Sequence, residues 1–475
     1  MAGVVHAAST IEARPIPDWS GIDPLSAAAR WAPNAPLLML HSGRLSPARS
    51  RWSILASPER FLRIDAPGAG GDDPNPSAIL DRLDRAIEAT SLRGGAASDA
   101  AGMAGLPFVG GWIGSLGYEL GRAIEPAASL GRDARLRPDG TTWPLVELAW
   151  CGAALVHDAT DGSWRAVGRP ESLARLLAST EQLAPATHGG QPVRTDGWRL
   201  DRLESIVDDA GFRAMVARTV ELIRAGDIFQ ANVARFLHGT LEGRVRAFGL
   251  EALRGASPWY GGLLELPGDR TIVSLSPELF LEGDLPGGEV LTRPVKGTRP
   301  ASDDAAVLMA SEKDAAELTM IVDLMRNDLG RVCRTGTIAV VEPRHVESHP
   351  TVHHGVAGVR GVLRAGTTLG QLVAATFPPG SITGAPKIRA MQVIEALEPT
   401  PRGPYCGALG FVSDHGRFAF NVSIRTLTVA PRGASKAVTY AVGCGIVADS
   451  DPEAERQESE DKAVVARRLV GWRSA

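Results

Sequence analysis

The sequence predicts an α+β protein in which mostly antiparallel strands pack against helices on the outside. Two observations lead to this fold class. In the second half of the chain, β-rich runs follow one another through short turns, as in RTIVSLSPELFLEG from residue 270 and GEVLTRPVKGT from residue 288. Between such runs lie segments whose apolar residues recur at helical spacing, as in FRAMVARTVELIRAGD from residue 212.

Composition describes an ordinary enzyme-sized chain. It has 475 residues, of which 44% are apolar and 22% are charged. The net charge of -4 and the absence of a basic tract exclude a strong electrostatic surface for nucleic acid or anionic membranes. No run approaches the roughly 18 uncharged apolar residues of a membrane span, and no signal peptide pattern opens the chain, so we expect a cytoplasmic protein.

The four cysteines predict reduced thiols. They are widely separated and form no CxxC pair, which argues against both a zinc knuckle and a disulfide framework. These residues are Cys151, Cys333, Cys406 and Cys444.

The first 200 residues mix strands and helices. The segment SAILDRLDRAIEATSL from residue 77 has helical periodicity, and RWSILA from residue 51 is β-rich. Stretches rich in small and polar residues, near 65–77, 93–107 and 183–197, predict loops.

One helix with an acidic first turn is predicted after residue 311. Ser311 is a good N-cap, Asp314 follows in a capping-box-like position, and Gly330 marks the end. Asp314 and Glu317 are three residues apart, so their carboxylates share one face of the helix.

The last helix repeats this pattern. Asp451 is its predicted cap, Pro452 takes the first helical position, and Glu455 and Glu458 are again three apart, with Lys462 one turn beyond.

Two interpretations of these acidic pairs remain open on spacing alone. Carboxylates in a first turn are favoured by the helix dipole, so each pair alone is explained as a solvated helix end. If the two pairs converge, they suit Mg²⁺, which prefers oxygen ligands and is often held by one or two carboxylates. Neither pair includes histidine or cysteine, which argues against zinc.

Several longer blocks resemble the chorismate-binding enzyme family in order and spacing, over about residues 210–466. The blocks are SPELF at 276, RPVKGT at 293, EKDAAELTMIVDLMRNDLGRVC at 312, VHHG at 352, GSITGAPK at 380, YCGALGFVS at 405, FNVSIRT at 420 and GCGIVADSDPEAERQE at 443. The resemblance implies large, mostly antiparallel sheets packed as a sandwich with helices outside, as in enzymes similar to anthranilate synthase component I. It also implies an N-terminal region of residues 1–200, intertwined with a catalytic domain of residues 205–470.

Two positions discriminate among activities within this family. Gln230 stands where the water-adding members carry a lysine base, and an amide cannot serve as that base. Lys296 stands where anthranilate synthases carry alanine and aminodeoxychorismate synthases carry lysine. The chain therefore most resembles component I of the aminodeoxychorismate synthases, and FVGGWIGSLGYEL at 108 is similar to their N-terminal half.

The resemblance implies a set of catalytic residues. Lys296 would add to C2 of chorismate as the C4 hydroxyl leaves, and ammonia would then enter at C4 and expel the lysine. A free lysine has a pKa of about 10.4, so the site must depress it. Glu278 would protonate the departing hydroxyl, and His354 would lie near C4.

The remaining site residues also follow from the resemblance. It implies Mg²⁺ bound directly by Glu317 and Glu458, and through water by Asp314 and Glu455. It further implies a set of substrate-binding residues, Thr383, Gly384, Tyr405, Arg425, Gly443, Gly445 and Lys462. Among these, an arginine fork suits a planar carboxylate, and glycines allow close approach of backbone N–H groups.

Partners follow from the same chemistry. We expect a separate glutamine amidotransferase subunit to supply ammonia and an aminodeoxychorismate lyase to act on the product, giving 4-aminobenzoate for folate or for a specialised aminobenzoate product. The alternatives are anthranilate synthase component I and a catalytically silent chorismate-binding subunit.

Overall fold

The computed structural model describes residues 10–44, 46, 49–66, 75–92, 105–131, 137, 140–180, 197–285, 287–348 and 352–471. The three predicted loops lie largely outside the described residues, which omit 67–74, 93–104 and 181–196.

Ten of the strands precede residue 206 and thirteen follow it. The first ten are β1 Glu12–Pro15, β2 Leu38–His41, β3 Trp52–Ala56, β4 Arg60–Ile64, β5 Gly111–Leu116, β6 Val146–Cys151, β7 Ala153–Asp158, β8 Ser163–Gly168, β9 Trp198–Leu200 and β10 Glu204–Ser205. The others are β11 Gln230–Gly243, β12 Tyr260–Leu266, β13 Arg270–Ser276, β14 Leu279–Asp284, β15 Glu289–Arg293, β16 Val295–Pro300, β17 Ala339–Ser348, β18 Val352–Val362, β19 Gly384–Ala385, β20 Ala408–Ser413, β21 Arg417–Val422, β22 Thr426–Arg432 and β23 Ser435–Ile446.

Helices lie between these strands. They are α1 Pro24–Ala29, α2 Pro76–Glu88, α3 Leu120–Ile124, α4 Pro170–Thr180, α5 Asp209–Arg224, α6 Val245–Ala256, α7 Ala305–Ala310, α8 Glu312–Gly330, α9 Leu369–Thr376, α10 Lys387–Leu397 and α11 Pro452–Arg467.

The strands form two large sheets. One has thirteen strands in the order β1-β8-β7-β3-β2-β12-β13-β22-β23-β11-β10, with β9 and β19 also paired to β11. The other has ten, in the order β16-β18-β15-β14-β21-β20-β5-β6-β4, with β17 also paired to β18. Neighbouring strands pair antiparallel throughout the described sheets, which confirms the predicted α+β class.

The core lies between the sheets and on their outer faces. Leu38 and Ile272 of the larger sheet pack in one buried cluster with Ile113 and Phe411 of the smaller sheet, so the two inner faces meet as a sandwich. Two further clusters bury the outer faces, one under α2, α8 and α9 and the other under α1, α4 and α6.

Early and late segments of the chain pair with one another in both sheets. In the larger sheet β2 pairs with β12, and in the smaller sheet β5 pairs with β20, where Gly111 lies opposite Ser413 and Leu116 opposite Ala408. The division of the chain near residue 200 stays a prediction.

Two β-rich runs cross from one sheet to the other. The run from residue 270 leaves the larger sheet at the end of β13 and enters the smaller sheet at β14, and Glu278 lies at the crossing. The β-rich run RFAFNVSIRTLTVA from residue 417 divides in the same way, into β21 and β22 of different sheets. At this break Arg425 has φ +50°, a left-handed conformation that interrupts the extended chain.

The predicted helix caps are confirmed. Ser311 Oγ accepts from the Asp314 N–H at 3.2 Å, and Asp451 caps α11 by accepting from Glu453 and Ala454 N–H groups. In a capping box the Asp314 carboxylate would also accept from the Ser311 N–H. Here this carboxylate accepts from Arg299 at 2.8 Å instead.

The cysteines and the helices agree with two further expectations from the sequence. All four cysteines are free and buried. Among the described helices, none combines the length and the apolar character that crossing a membrane requires.

Candidate active site

A cavity of about 190 Å³ opens where the two sheet crossings meet the two acidic helices. Twelve of the fourteen predicted site residues line it: Glu278, Lys296, Asp314, Glu317, His354, Tyr405, Arg425, Gly443, Gly445, Glu455, Glu458 and Lys462. The convergence that sequence spacing left open is therefore present in the fold, since α8 and α11 both direct acidic side chains at the same space.

The other two predicted residues support the wall of the cavity instead of lining it. Thr383 is buried, its hydroxyl donates to the Pro379 carbonyl at 3.1 Å, and its own carbonyl accepts from the Asn232 N–H at 2.8 Å. Gly384 lies on β19, where a Cβ would come within 2.0 Å of the Gln230 carbonyl oxygen.

Lys296 lies near the start of β16 and points its amine into the cavity. Its Nζ lies 2.8 Å from the place that a Cβ on Gly445 would occupy. Burial lowers the pKa of Lys296 from its usual value near 10.5; the carboxylate of Glu317 opposes this change, and the nearby Lys462 adds to it. The site thus increases the fraction of neutral, nucleophilic amine.

Glu278 is buried at the crossing between β13 and β14. Burial raises its pKa to about 7, although hydrogen bonds from Ser381 and from the Val295 N–H act in the opposite direction. A carboxyl group with this pKa retains its proton for a substantial part of the time near neutrality, as a general acid must.

His354 is held by two partners. Its Nδ1 lies 2.9 Å from Thr298 Oγ1, and its Nε2 lies 3.3 Å from the Arg425 guanidinium. Because a guanidinium only donates, Nε2 accepts and the ring proton belongs on Nδ1, which donates to Thr298. This arrangement orients both His354 and Arg425 toward the cavity.

The four carboxylates of the acidic helices differ in their partners. Asp314 pairs with Arg299, Glu455 accepts from Ser450 Oγ at 2.7 Å, and Glu458 pairs with Lys462 at 2.6 Å. Glu317, by contrast, has no hydrogen-bond donor among the described residues.

Burial is the main cause of the raised pKa of both Glu317 and Glu455, and the nearby carboxylate of Glu458 contributes to each. A divalent cation would relieve this repulsion, so the donor set of oxygens fits Mg²⁺. Glu317 and Glu458 would be its direct protein ligands.

The two glycines of β23 leave room for polar side chains. A Cβ on Gly443 would lie 2.7 Å from Asn232 Nδ2 and 2.8 Å from the Tyr405 hydroxyl, and one on Gly445 would lie 2.6 Å from Gln230 Nε2. Lys462 Nζ also donates to the Gly443 carbonyl at 2.8 Å. These glycines therefore permit several functional groups to converge over one strand.

Sequence reasoning missed other residues on the cavity lining. They include Asn232, Arg299, Lys313, Ser381 and Tyr440. A signal for Asn232 was present, because alternate residues of a strand share a face and Asn232 lies two residues after Gln230.

A buried ion pair fixes the wall behind these residues. Arg402 and Glu398 are 2.6 Å apart and both almost fully buried. Arg402 also donates to the carbonyls of Asn232 at 2.6 Å and Ile382 at 3.0 Å, and its guanidinium stacks on the Tyr118 ring. The pair therefore connects β11 to the segment that carries Ser381.

Comparisons with known proteins identify the family of this chain. A family model described as chorismate binding enzyme matches residues 69–468. The chain is 38% identical to anthranilate synthase component 1 of Thermus thermophilus, over 75% of this chain and 76% of that protein. It is 37% identical to aminodeoxychorismate synthase component 1 of Salmonella typhimurium, with the same coverage of 75% and 76%. The crystal structure of anthranilate synthase component I from Streptococcus pneumoniae superimposes with a TM-score of 0.71 at 27% identity, covering 89% of this chain and 93% of that one.

Proposed function

The chain belongs to the chorismate-binding enzyme family, and from this premise we propose that it is component I of an aminodeoxychorismate synthase. In this role it replaces the C4 hydroxyl of chorismate by an amino group, giving 4-amino-4-deoxychorismate. The observation that carries the proposal is the position of the Lys296 amine, inside the cavity beside Gly445 and with its pKa lowered by burial.

The reaction proceeds by two allylic displacements. The neutral amine of Lys296 bonds to C2, both ring double bonds shift by one position, and the C4 hydroxyl leaves as water after receiving a proton. Ammonia then bonds to C4, both double bonds shift back, and the C2–N bond breaks to return the lysine. Chorismate and ammonia thus become aminodeoxychorismate and water, with the lysine regenerated.

Glu278 supplies the proton to the departing hydroxyl. Hydroxide is a poor leaving group, so C4–O cleavage needs a general acid, and a carboxyl group with a pKa of about 7 can serve as one at neutral pH. His354, fixed by Thr298 and Arg425, also lines the cavity and would contact the C4 region.

The acidic helices would hold Mg²⁺. Glu317 and Glu458 would bind it directly, and Asp314 and Glu455 through water. The bound ion would anchor the ring carboxylate of chorismate and withdraw electron density from the ring.

Cationic and neutral groups of the same cavity would bind the rest of the substrate. Arg425, Tyr405 and Lys462 offer donors to carboxylate oxygens, and Gly443 and Gly445 keep the space above β23 open. Thr383 and Gly384 would act indirectly, by fixing the start of β11.

Ammonia would come from a glutamine amidotransferase subunit, and an aminodeoxychorismate lyase would convert the product toward 4-aminobenzoate and folate. The purified chain should then use ammonium salts but not glutamine until the amidotransferase is added.

The rival function is that of anthranilate synthase component I. An anthranilate synthase and an aminodeoxychorismate synthase match this chain almost equally well, at 38% and 37% identity, so identity alone does not decide between the two activities. Lys296 favours amination at C4, because an anthranilate synthase aminates C2 and has no need of an enzyme amine there.

The test is product identification. Chorismate, Mg²⁺ and ammonium are incubated with the chain, and aminodeoxychorismate lyase is then added. We expect 4-aminobenzoate; anthranilate would establish the rival, and unchanged chorismate would indicate a silent subunit.

A further inference from the structure

Asn232 is a buried amide whose donor has no partner. Only 6% of its surface is exposed, it lines the catalytic cavity, and no acceptor for its Nδ2 is found among the described residues. An unsatisfied buried donor destabilises the folded protein, so a group of this kind needs an explanation.

The backbone of Asn232 cannot supply that partner, because both of its polar groups are already used. The N–H donates to the Thr383 carbonyl, and the carbonyl accepts from Arg402, which Glu398 holds in turn. The main chain is therefore fixed at this point, and the side chain projects from it toward the cavity.

A second donor lies beside Nδ2. Both Asn232 Nδ2 and the Tyr405 hydroxyl lie within 2.8 Å of the position that a Cβ on Gly443 would occupy. Two donors aimed at one space suit an acceptor with two lone pairs, and a carboxylate oxygen is the acceptor that binds most strongly to such groups.

We propose that Asn232 is a substrate-binding residue whose Nδ2 donates, together with Tyr405, to the enolpyruvyl carboxylate of chorismate. The inference rests on the proposed function for the identity of the substrate. Chorismate carries two carboxylates, and the ring carboxylate belongs with the acidic helices and their metal. The enolpyruvyl carboxylate would then be bound by the neutral and cationic donors of β11, β23 and Arg425.

The test is direct titration of chorismate by calorimetry, with Mg²⁺ present and ammonium absent, on the full chain and its variants. Asn232→Ala should weaken binding about tenfold, and Asn232→Asp up to about a hundredfold, because a carboxylate there repels the substrate anion. The melting temperatures should stay close to that of the wild type, and in the ammonium assay KM should change more than kcat.

Asn421→Ala is the matched control. Asn421 is also a buried amide, but its Nδ2 donates to the Tyr260 carbonyl at 2.7 Å and its Oδ1 accepts from the Leu409 N–H at 3.1 Å. This variant should lower the melting temperature and leave chorismate affinity within about twofold, as expected for a structural amide.

The failures of the two proposals are distinguishable. Asn232 variants that bind chorismate as the wild type does, or that only lose thermal stability, overturn the inference and leave the proposed function intact. A wild-type chain that binds chorismate and forms a different amine refutes the proposed function, while the loss of affinity in the variants would still support the role of Asn232.

Discussion

Two ion pairs lie behind the candidate cavity, whereas two polar side chains inside it lack a hydrogen-bond partner among the described residues. Behind it, Arg402 pairs with Glu398, and Lys387 pairs with Asp328 at 2.6 Å. Inside it, the Lys296 amine and the Asn232 side-chain Nδ2 have no hydrogen-bond partner among the described residues. Both regions are largely shielded from solvent, so burial alone does not distinguish these two sets of groups, whereas their pairing does.

The physical reason lies in what burial costs. A paired charge recovers part of its desolvation energy from its partner, whereas an unpaired one pays the full penalty in the free protein. The substrate can supply the missing partner in the complex. Removing a paired group should therefore reduce stability, and removing an unpaired group should reduce function.

The largest expected effect is that of Lys296→Ala. The variant should lose C4 amination by at least about a thousandfold, because no other amine takes its place. It should still bind chorismate, and its melting temperature should not fall, since no pairing is lost. Product chromatography and thermal unfolding measure the two effects.

Lys436→Ala is the control for this variant, because Lys436 lies outside the cavity, 3.6 Å from Asp269. It should aminate chorismate as the wild type does. Undiminished formation of 4-amino product by Lys296→Ala would contradict the assignment of the nucleophile.

The second prediction concerns the paired region. Arg402→Met should lower the free energy of unfolding by about 3–5 kcal/mol, because Glu398 is left buried without its cation. The double variant Arg402→Met with Glu398→Leu should recover most of this loss. Denaturant unfolding of the three proteins measures it, and a double variant no more stable than the single one would show that the pair is not the cause.

The third prediction uses the pH dependence of Glu278. Its pKa is raised from 4.5 to about 7, so the folded state keeps a proton that the unfolded state has already lost between these values. Stability attributable to this group therefore falls as the pH rises from 4.5 to about 7 and is constant above that.

Glu278→Gln removes this dependence. The variant should exceed the wild type in free energy of unfolding by about 3 kcal/mol at pH 8 and should match it near pH 4.5. It should also lose amination, because an amide cannot protonate the leaving hydroxyl. Parallel pH dependence of stability in the two proteins would show that Glu278 is ionised in the folded state.

The smallest effect is expected at the acidic helices. Glu317→Gln should raise the Mg²⁺ concentration needed for half-maximal turnover by about 10–100-fold, because a charged ligand becomes a neutral one. Glu453→Gln is the control, since Glu453 is an exposed carboxylate of α11 that pairs with Arg456. An unchanged metal requirement in Glu317→Gln would refute the assignment.

Local signals were predictable from the sequence. The caps at Ser311 and Asp451 depend on residues three or fewer positions away, so their outcome is determined within one turn. The fold class was also predictable, because short turns between β-rich runs require antiparallel neighbours.

Features set by distant contacts were not predictable. The division of the β-rich run through Arg425 between two sheets depends on which strands lie beside each half. Thr383 and Gly384 belong to the block GSITGAPK, which also contains the cavity-lining residue Ser381. These two residues nevertheless lie beside β11, where Gly384 pairs with Ala231. The contact of Arg402 with Asn232 joins residues 170 positions apart, and no local pattern indicates it.

The pairing of β5 with β20 has a consequence for biosynthesis. About 290 residues separate the two strands in the chain, so a ribosome adding about 5–20 residues per second completes β5 roughly 15–60 s before its partner emerges. During this interval the nascent polypeptide carries an uncovered strand edge able to recruit another chain. Slow synthesis of the segment between β5 and β20 should therefore favour misassembly, and holding chaperones should improve the yield of native protein.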